Sequence, residues 1–181
     1  MRIFVINPNT SESVTDHIRR ELDKIKRPDT ELTVVNPEHG PVSIESVYDE
    51  ALATPPTLEL VRAANKEGYD AIVLACFSDP GLDASKEISE IPVIGIEEAS
   101  MHMAAMLGHK FSITTAFRSR VATRELHVRK HGLESAYGST LVLNMSVLEM
   151  DADPVKAKAR ILELARESVE QDGTEVIILG C

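Results

Sequence analysis

The segment Asp70-Ala-Ile-Val-Leu-Ala-Cys76 is echoed by Glu175-Val-Ile-Ile-Leu-Gly-Cys181, with isoleucine, leucine and cysteine at matching places. The apolar run beginning near Arg2 has a counterpart near Lys110, and the run at Leu32 has one at Leu141. Those offsets are 108 and 109 residues, against 105 between the cysteines. Three runs in the same order at nearly constant offset describe two related halves: residues 1–95 carrying Cys76 and residues 96–181 carrying Cys181. The first half continues beyond its cysteine through Pro80 and Pro92 to Ile94, and nothing after Cys181 answers that stretch. The second half therefore reads as incomplete, and the natural protein is expected to be longer.

Seven segments are dense in β-branched or apolar residues, five of them without polar alternation, as strands buried on both faces are, and two, beginning at Pro92 and Phe111, shorter but similar. They are Ile3 to Ile6, Leu32 to Val35, Ala71 to Ala75, Pro92 to Ile94, Phe111 to Thr114, Leu141 to Leu143 and Val176 to Leu179. Helices are expected between them. Asn9 with Glu12 reads as a capping box, while Thr54-Pro55, Asp79-Pro80 and Asp153-Pro154 each place a cap before a first-turn proline. Gly68, Gly132 and Gly173 read as helix C-terminal glycines. Alternation of strand and helix along the whole chain predicts an α/β fold with mainly parallel sheets, in which ligands gather at the carboxyl ends of the strands.

Composition excludes several classes of function. A net charge of −10 with scattered Lys and Arg offers no landing surface for nucleic acid or for an anionic membrane. The longest apolar run, Ala71 to Phe77, is far below the roughly 18 residues that span a bilayer. The N-terminus MRIFVINPN lacks the pattern of a signal peptide, so a cytoplasmic protein is expected. In a reducing cytosol its two cysteines, neither in a Cys-x-x-Cys pair, should be free thiols.

Each cysteine ends a buried run at the ligand-binding edge, and Cys76 is followed by Phe77-Ser78-Asp79-Pro80 leading into a helix, whose N-terminal amides favour a thiolate. A free cysteine is also among the most buried residue types, so a core role is the competing reading. Equivalent placement in two halves favours the chemical one. Two sulfurs on opposite walls of one pocket suit removal of a proton from one face of a carbon and its return to the other. No dinucleotide fingerprint, Walker loop or aldimine lysine is present, so no cofactor is expected and the substrate must carry its own activation.

Other polar residues lie at the same predicted edge. In Asn7-Pro8-Asn9-Thr10-Ser11, Asn9 is read either as a ligand contact or as a helix cap. The turn Gly40-Pro41-Val42-Ser43-Ile44 and the hydroxyls of Thr114 and Thr115 are read as contacts to an amide-rich ligand or as turn and cap groups. His127 and His131 are spaced i, i+4, but the context for a third ligand is missing and no metal site is assigned. His17, His39, His102 and His109 show no pairing pattern. Met101, Met103 and Met106, with Ala104 and Ala105, read as core or subunit packing.

Several blocks together resemble one family. INPNTSESVT, GPVSIES with Tyr48-Asp49-Glu50-Ala51, ACFSDPGLDASKE, PVIGIEEASMHMAA, FSITTAF and EVIILGC, in that order from Ile6 to Cys181, are similar to the hydantoin racemases and the related allantoin racemases of the aspartate/glutamate racemase superfamily. The resemblance implies two pseudo-symmetric Rossmann-like halves with the substrate between them. It implies racemisation of 5-substituted hydantoins or allantoin without metal or pyridoxal, Cys76 and Cys181 exchanging protons at the ring carbon that bears the side chain. Binding roles then fall on Asn9, Val42, Ser43, Phe77, Thr114, Thr115 and the backbone at Gly180. A homo-oligomer is also implied. Members of the family continue after the second cysteine with a glycine-rich turn and further elements, which this sequence lacks.

Three alternatives stand beside that reading. An amino-acid racemase would call for a Cys-Asn-Thr type loop and charged contacts to carboxylates. A decarboxylase or isomerase of the superfamily needing one thiol leaves the second cysteine unexplained. A small-molecule binding protein on this fold, without turnover, is the third.

Overall fold

Continuous apolar runs make stable strands only where both sheet faces are covered, which is the situation of parallel strands flanked by helices. The computed structural model describes residues 1–180, and Cys181 lies outside the described residues. Each of the seven apolar runs forms a strand: β1 (Arg2–Ile6), β2 (Glu31–Val35), β3 (Ala71–Leu74), β4 (Val93–Gly95), β5 (Phe111–Thr115), β6 (Tyr137–Val142) and β7 (Val176–Ile178). Between them lie α1 (Glu12–Ile25), α2 (Val47–Ala64), α3 (Leu82–Ile88), α4 (Ile96–Leu107), α5 (Val121–Lys130), α6 (Val147–Ala152) and α7 (Pro154–Asp172). Among the described residues no helix is long and apolar enough to cross a membrane.

The chain divides into two compact units, Met1–Glu97 and the remainder from Glu98. The first unit holds a parallel sheet of order β2-β1-β3-β4, and the second holds a parallel sheet of order β6-β5-β7. The two sheets repeat one topology, because β1 and β5 are each the strand between the next two. Register repeats as well. Ile3 faces Ala71 in the first sheet, and Phe111 faces Val176 in the second.

Phe4, Ile6, Ile72 and Leu74 alternate onto one face of the first sheet and pack with Val61 and Ala64 of α2, Tyr69, Leu82 and Val93. Each such aliphatic side chain contributes roughly 1.5–3 kcal/mol when fully buried. In the second unit Leu141 and Leu143 pack with Met145, and with Ala157 and Leu164 of α7. On α4, Met101 and Ala104 are core residues, whereas Met103 and Met106 are exposed.

Helix starts differ from expectation at three places. α1 begins after Ser11, whose hydroxyl accepts from Val14 N at 3.4 Å, and not at an Asn9 capping box. α2 begins after Ser46 in a capping box with Asp49, so Pro55 and Pro56 lie inside the helix and not in its first turn. Its buried stripe of Ala53, Thr57, Val61 and Ala64 runs straight through the prolines. Core burial along that stripe therefore outweighs a proline penalty of about 3 kcal/mol. α3 begins at Leu82 after Gly81, not after Asp79. Elsewhere the signals hold in part. Asp153 accepts from Lys156 N at 3.0 Å ahead of Pro154, and Gly132 and Gly173 close α5 and α7 with positive φ. By contrast, α2 already ends at Ala64 with Asn65 as its C-cap, and Gly68, also at positive φ, lies in the turn beyond it.

Candidate functional site

Parallel pairing points the carboxyl ends of β1, β2 and β3 the same way, so the loops that follow them share one edge of the first sheet. After β1 comes Asn7, which is 1% exposed. Its backbone N donates to Val35 O at 2.8 Å, and its side-chain Nδ2 donates to Asn9 Oδ1 at 2.8 Å and to Thr15 Oγ1 at 3.0 Å. Asn9 Oδ1 also accepts from Ser11 N at 2.9 Å. Asn9 thus braces the loop from within, and the buried anchor Asn7 is a residue whose role the sequence pattern did not reveal. Thr10 N donates to Pro41 O at 3.0 Å and ties this loop to the one after β2. There Val42 is 72% exposed, and the exposed Ser43 donates to Glu45 Oε1 at 3.2 Å.

The third loop carries the thiol. Ala75 N still donates to Ile6 O at 2.8 Å, extending the β3 pairing to the residue before Cys76. Cys76 is half-buried, with its Sγ 3.5 Å from Ser78 Oγ. Its carbonyl accepts from Ser78 N at 2.9 Å and from Asp79 N at 3.0 Å, which closes a tight turn, and Phe77 and Ser78 are buried. Asp79 has φ +46, in the left-handed region where Asp is among the tolerated residues. Its Oδ1 accepts from Glu97 N at 3.1 Å in the first turn of α4. The carboxylate therefore caps α4 and not α3, and α3 has no side-chain cap. The Cys76 turn is thereby fastened to the β4–α4 junction. Gly95 is what permits the approach, since a Cβ there would overlap the Asp79 carboxylate.

At the corresponding edge of the second unit, Thr114 Oγ1 is 2% exposed in terms of its residue and accepts from Gly180 N at 3.0 Å. The same hydroxyl lies 3.2 Å from Gly180 O, to which it donates. Thr114 and Gly180 are thus brought together, with Thr114 spending its hydroxyl on the backbone of the residue next to Cys181. Thr115, also buried, accepts from Leu143 N through its carbonyl at 2.9 Å. Arg118–Arg120 forms a 3-10 turn after β5, with Arg120 and Arg124 buried. These cations follow a strand's carboxyl end, where the sequence pattern gave no reason to place buried arginines.

The histidines also arrange differently from their spacing. His131 lies with Nδ1 3.7 Å from Glu98 Oε1 and its ring edge-on to His102, two residues without an obvious pairing in the sequence.

Residues 3–181 match the family model described as Asp/Glu/Hydantoin racemase. The chain belongs to the Asp/Glu/hydantoin racemase family. It is an isomerase of the racemase type. The hydantoin racemase of Pseudomonas sp. (strain NS671) is 38% identical over 181 residues, covering 100% of this chain and 73% of that protein. The hydantoin racemase of Paenarthrobacter aurescens is 40% identical over 183 residues, covering 100% and 77%. The allantoin racemase from Klebsiella pneumoniae superposes with a TM-score of 0.94 at 37% identity, covering 100% of this chain and 74% of that one. A mutant of arylmalonate decarboxylase shares the fold, with a TM-score of 0.71 at 16% identity over 99% of this chain and 77% of that one.

Two substitutions test how this racemase holds its strand ends. Gly95→Ala expels the Asp79 carboxylate from the α4 N-terminus and should lower unfolding free energy by about 2–4 kcal/mol, combining overpacking with a lost cap. Urea denaturation with an unchanged midpoint would remove the Asp79 clamp. Thr114→Val leaves Gly180 N–H buried without its acceptor and should cost about 1–3 kcal/mol, whereas Thr114→Ser restores most of it.

Proposed function

We propose that this racemase interconverts the enantiomers of a hydantoin-like ring, a 5-substituted hydantoin or allantoin, with Cys76 and Cys181 as the acid–base pair and no metal or organic cofactor in the chemical step. The observation that carries the substrate class is the relationship, along the full length of this chain, to proteins named hydantoin racemase. The reading of the thiols is supported by the repeated register. Ala71 and Val176 occupy equivalent strand positions, and Cys76 and Cys181 each lie five residues beyond them in the sequence.

The chemistry balances without an external reagent. A thiolate takes the proton from the ring carbon that bears the side chain, and the electron pair of the broken C–H bond moves onto the adjacent ring carbonyl as an enolate. The opposite thiol then delivers its proton to the other face of the same carbon. The enzyme ends with the two thiols in exchanged protonation states, ready for the opposite enantiomer. A thiol with an ordinary pKa near ~8.5 is close enough to neutrality to serve in either role. Asn9, Val42, Ser43, Phe77, Thr115 and the Gly180 backbone are proposed to surround the ring, with Thr114 acting through Gly180 to position the second cysteine. Assembly as a homo-oligomer and residence in the cytoplasm complete the proposal; light scattering of the intact protein tests the first, and fractionation of the source cells the second.

Optical rotation and solvent deuterium uptake, followed with each pure enantiomer, test the mechanism. Cys76→Ser and Cys181→Ser should each lower kcat by roughly 10²–10⁴-fold in both directions, and a chelator should leave the wild-type rate unchanged. Unimpaired racemisation in either variant would sink the two-thiol mechanism. Tight binding of the ring without deuterium uptake by wild type would instead establish a binding protein.

A further inference from the structure

Two helices of the second unit bring three metal-ligating side chains together, and no step of the proton transfer uses any of them. Glu98 and His102 stand at i and i+4 on α4, the spacing that places two side chains on one helix face. The same helix turns Met101 and Ala104 into the core, which fixes its rotation. His131 is the C-cap of α5, and the backbone around it is tightly determined. Gly132, at φ +69, donates to Arg129 O at 3.0 Å, and Leu133 N returns to Val128 O at 3.1 Å. These paired bonds are those of a Schellman cap. They hold the mostly buried His131 ring with Nδ1 3.7 Å from Glu98 Oε1, edge-on to His102 at a centroid separation of 5.6 Å. One donor atom from each of Glu98, His102 and His131 lies within 4.8 Å of the others.

The geometry points to a binding site for a divalent first-row transition metal, with Zn²⁺ as its representative ion and Glu98, His102 and His131 as ligands. Two imidazoles and a carboxylate form a borderline donor set that suits zinc and its neighbours better than Mg²⁺ or Ca²⁺. Zinc holds imidazole nitrogen at ~2.0–2.1 Å and carboxylate oxygen at ~2.0–2.2 Å, so tetrahedral donors stand roughly 3.3 Å apart. The Glu98–His131 separation is already near that value. The remaining closure falls to His102, which is exposed and has room to swing inward. Three protein ligands leave a fourth position for water. Because the ligands come from α4 and α5, the ion cross-links those helices and stabilises the folded chain.

The full chain, stripped with chelator and dialysed against Zn²⁺ alone, should retain one equivalent. Co²⁺ in its place should give d–d absorption without a thiolate charge-transfer band. Changes outside the first coordination shell already weaken metal sites by ~10–100-fold. Loss of a direct ligand in His102→Ala, His131→Ala or Glu98→Gln should therefore weaken binding by about 100-fold or more. His127→Ala and Cys76→Ser should bind as wild type does. Zn²⁺ should raise the Tm of wild type and not that of His102→Ala, a variant at an exposed position that leaves the core intact. No bound zinc in wild type, unchanged affinity in His102→Ala and His131→Ala, or loss of binding in Cys76→Ser would each overturn the site.

Discussion

Parallel hydrogen bonding on both sides of one strand, β1 in the first sheet and β5 in the second, is the constraint from which the rest follows. A parallel pair cannot be closed by a short hairpin, so each strand must be followed by a crossing segment that returns the chain to the opposite edge. Every carboxyl end then opens onto the same side of its sheet. Asn7, Pro41 and Cys76, far apart in sequence, become residents of adjacent loops for that reason alone. In the second sheet the same rule places Thr114, Leu143 and Gly180 on three neighbouring strand ends, joined by the bonds from Thr114 and Thr115. Chemistry placed at strand ends inherits the precision of the ladder behind it.

The strands were legible where burial on both faces leaves a continuous apolar signature, as in Ala71–Leu74; Phe111–Thr115 alternates hydroxyl residues with Phe111 and Ile113 and yet is buried at every position. Helix starts were less so. Asn9, Thr54 and Asp79 all carry cap-forming side chains, yet each is used elsewhere: the Asn9 amide oxygen accepts from Asn7 Nδ2, the Thr54 hydroxyl donates to Glu50 O at 2.8 Å, and the Asp79 carboxylate caps α4. A cap signal reports that a side chain can accept an amide proton. It does not report which amide the fold will bring to it.

Buried polar residues were the least legible. Ser112, Ser168 and Thr174 form a closed hydroxyl cluster with separations of 2.8 to 3.0 Å, assembled from β5, α7 and the residue after Gly173. Nothing in the spacing of three small hydroxyl residues announces that, and nothing in the spacing of Glu98 and His102, an i, i+4 pair on α4, announces that His131 joins them. The i, i+4 rule found His127 with His131, a pair on one helix, but the tertiary neighbours of His131 come from another. For the candidate site, the sequence supplied the thiol and the edges. The supporting residues Asn7, Asp79 and Gly95 emerged only from contacts.

The Asp79 carboxylate occupying the space where residue 95 would carry a Cβ has a consequence for divergence among related sequences. The constraint runs one way: a side chain at 95 excludes the Asp79 carboxylate, whereas glycine at 95 leaves room for a smaller residue at 79. The two should therefore covary, with Gly at 95 wherever Asp is at 79. A lineage that acquires a side chain at 95 must give up Asp79 first or at the same time.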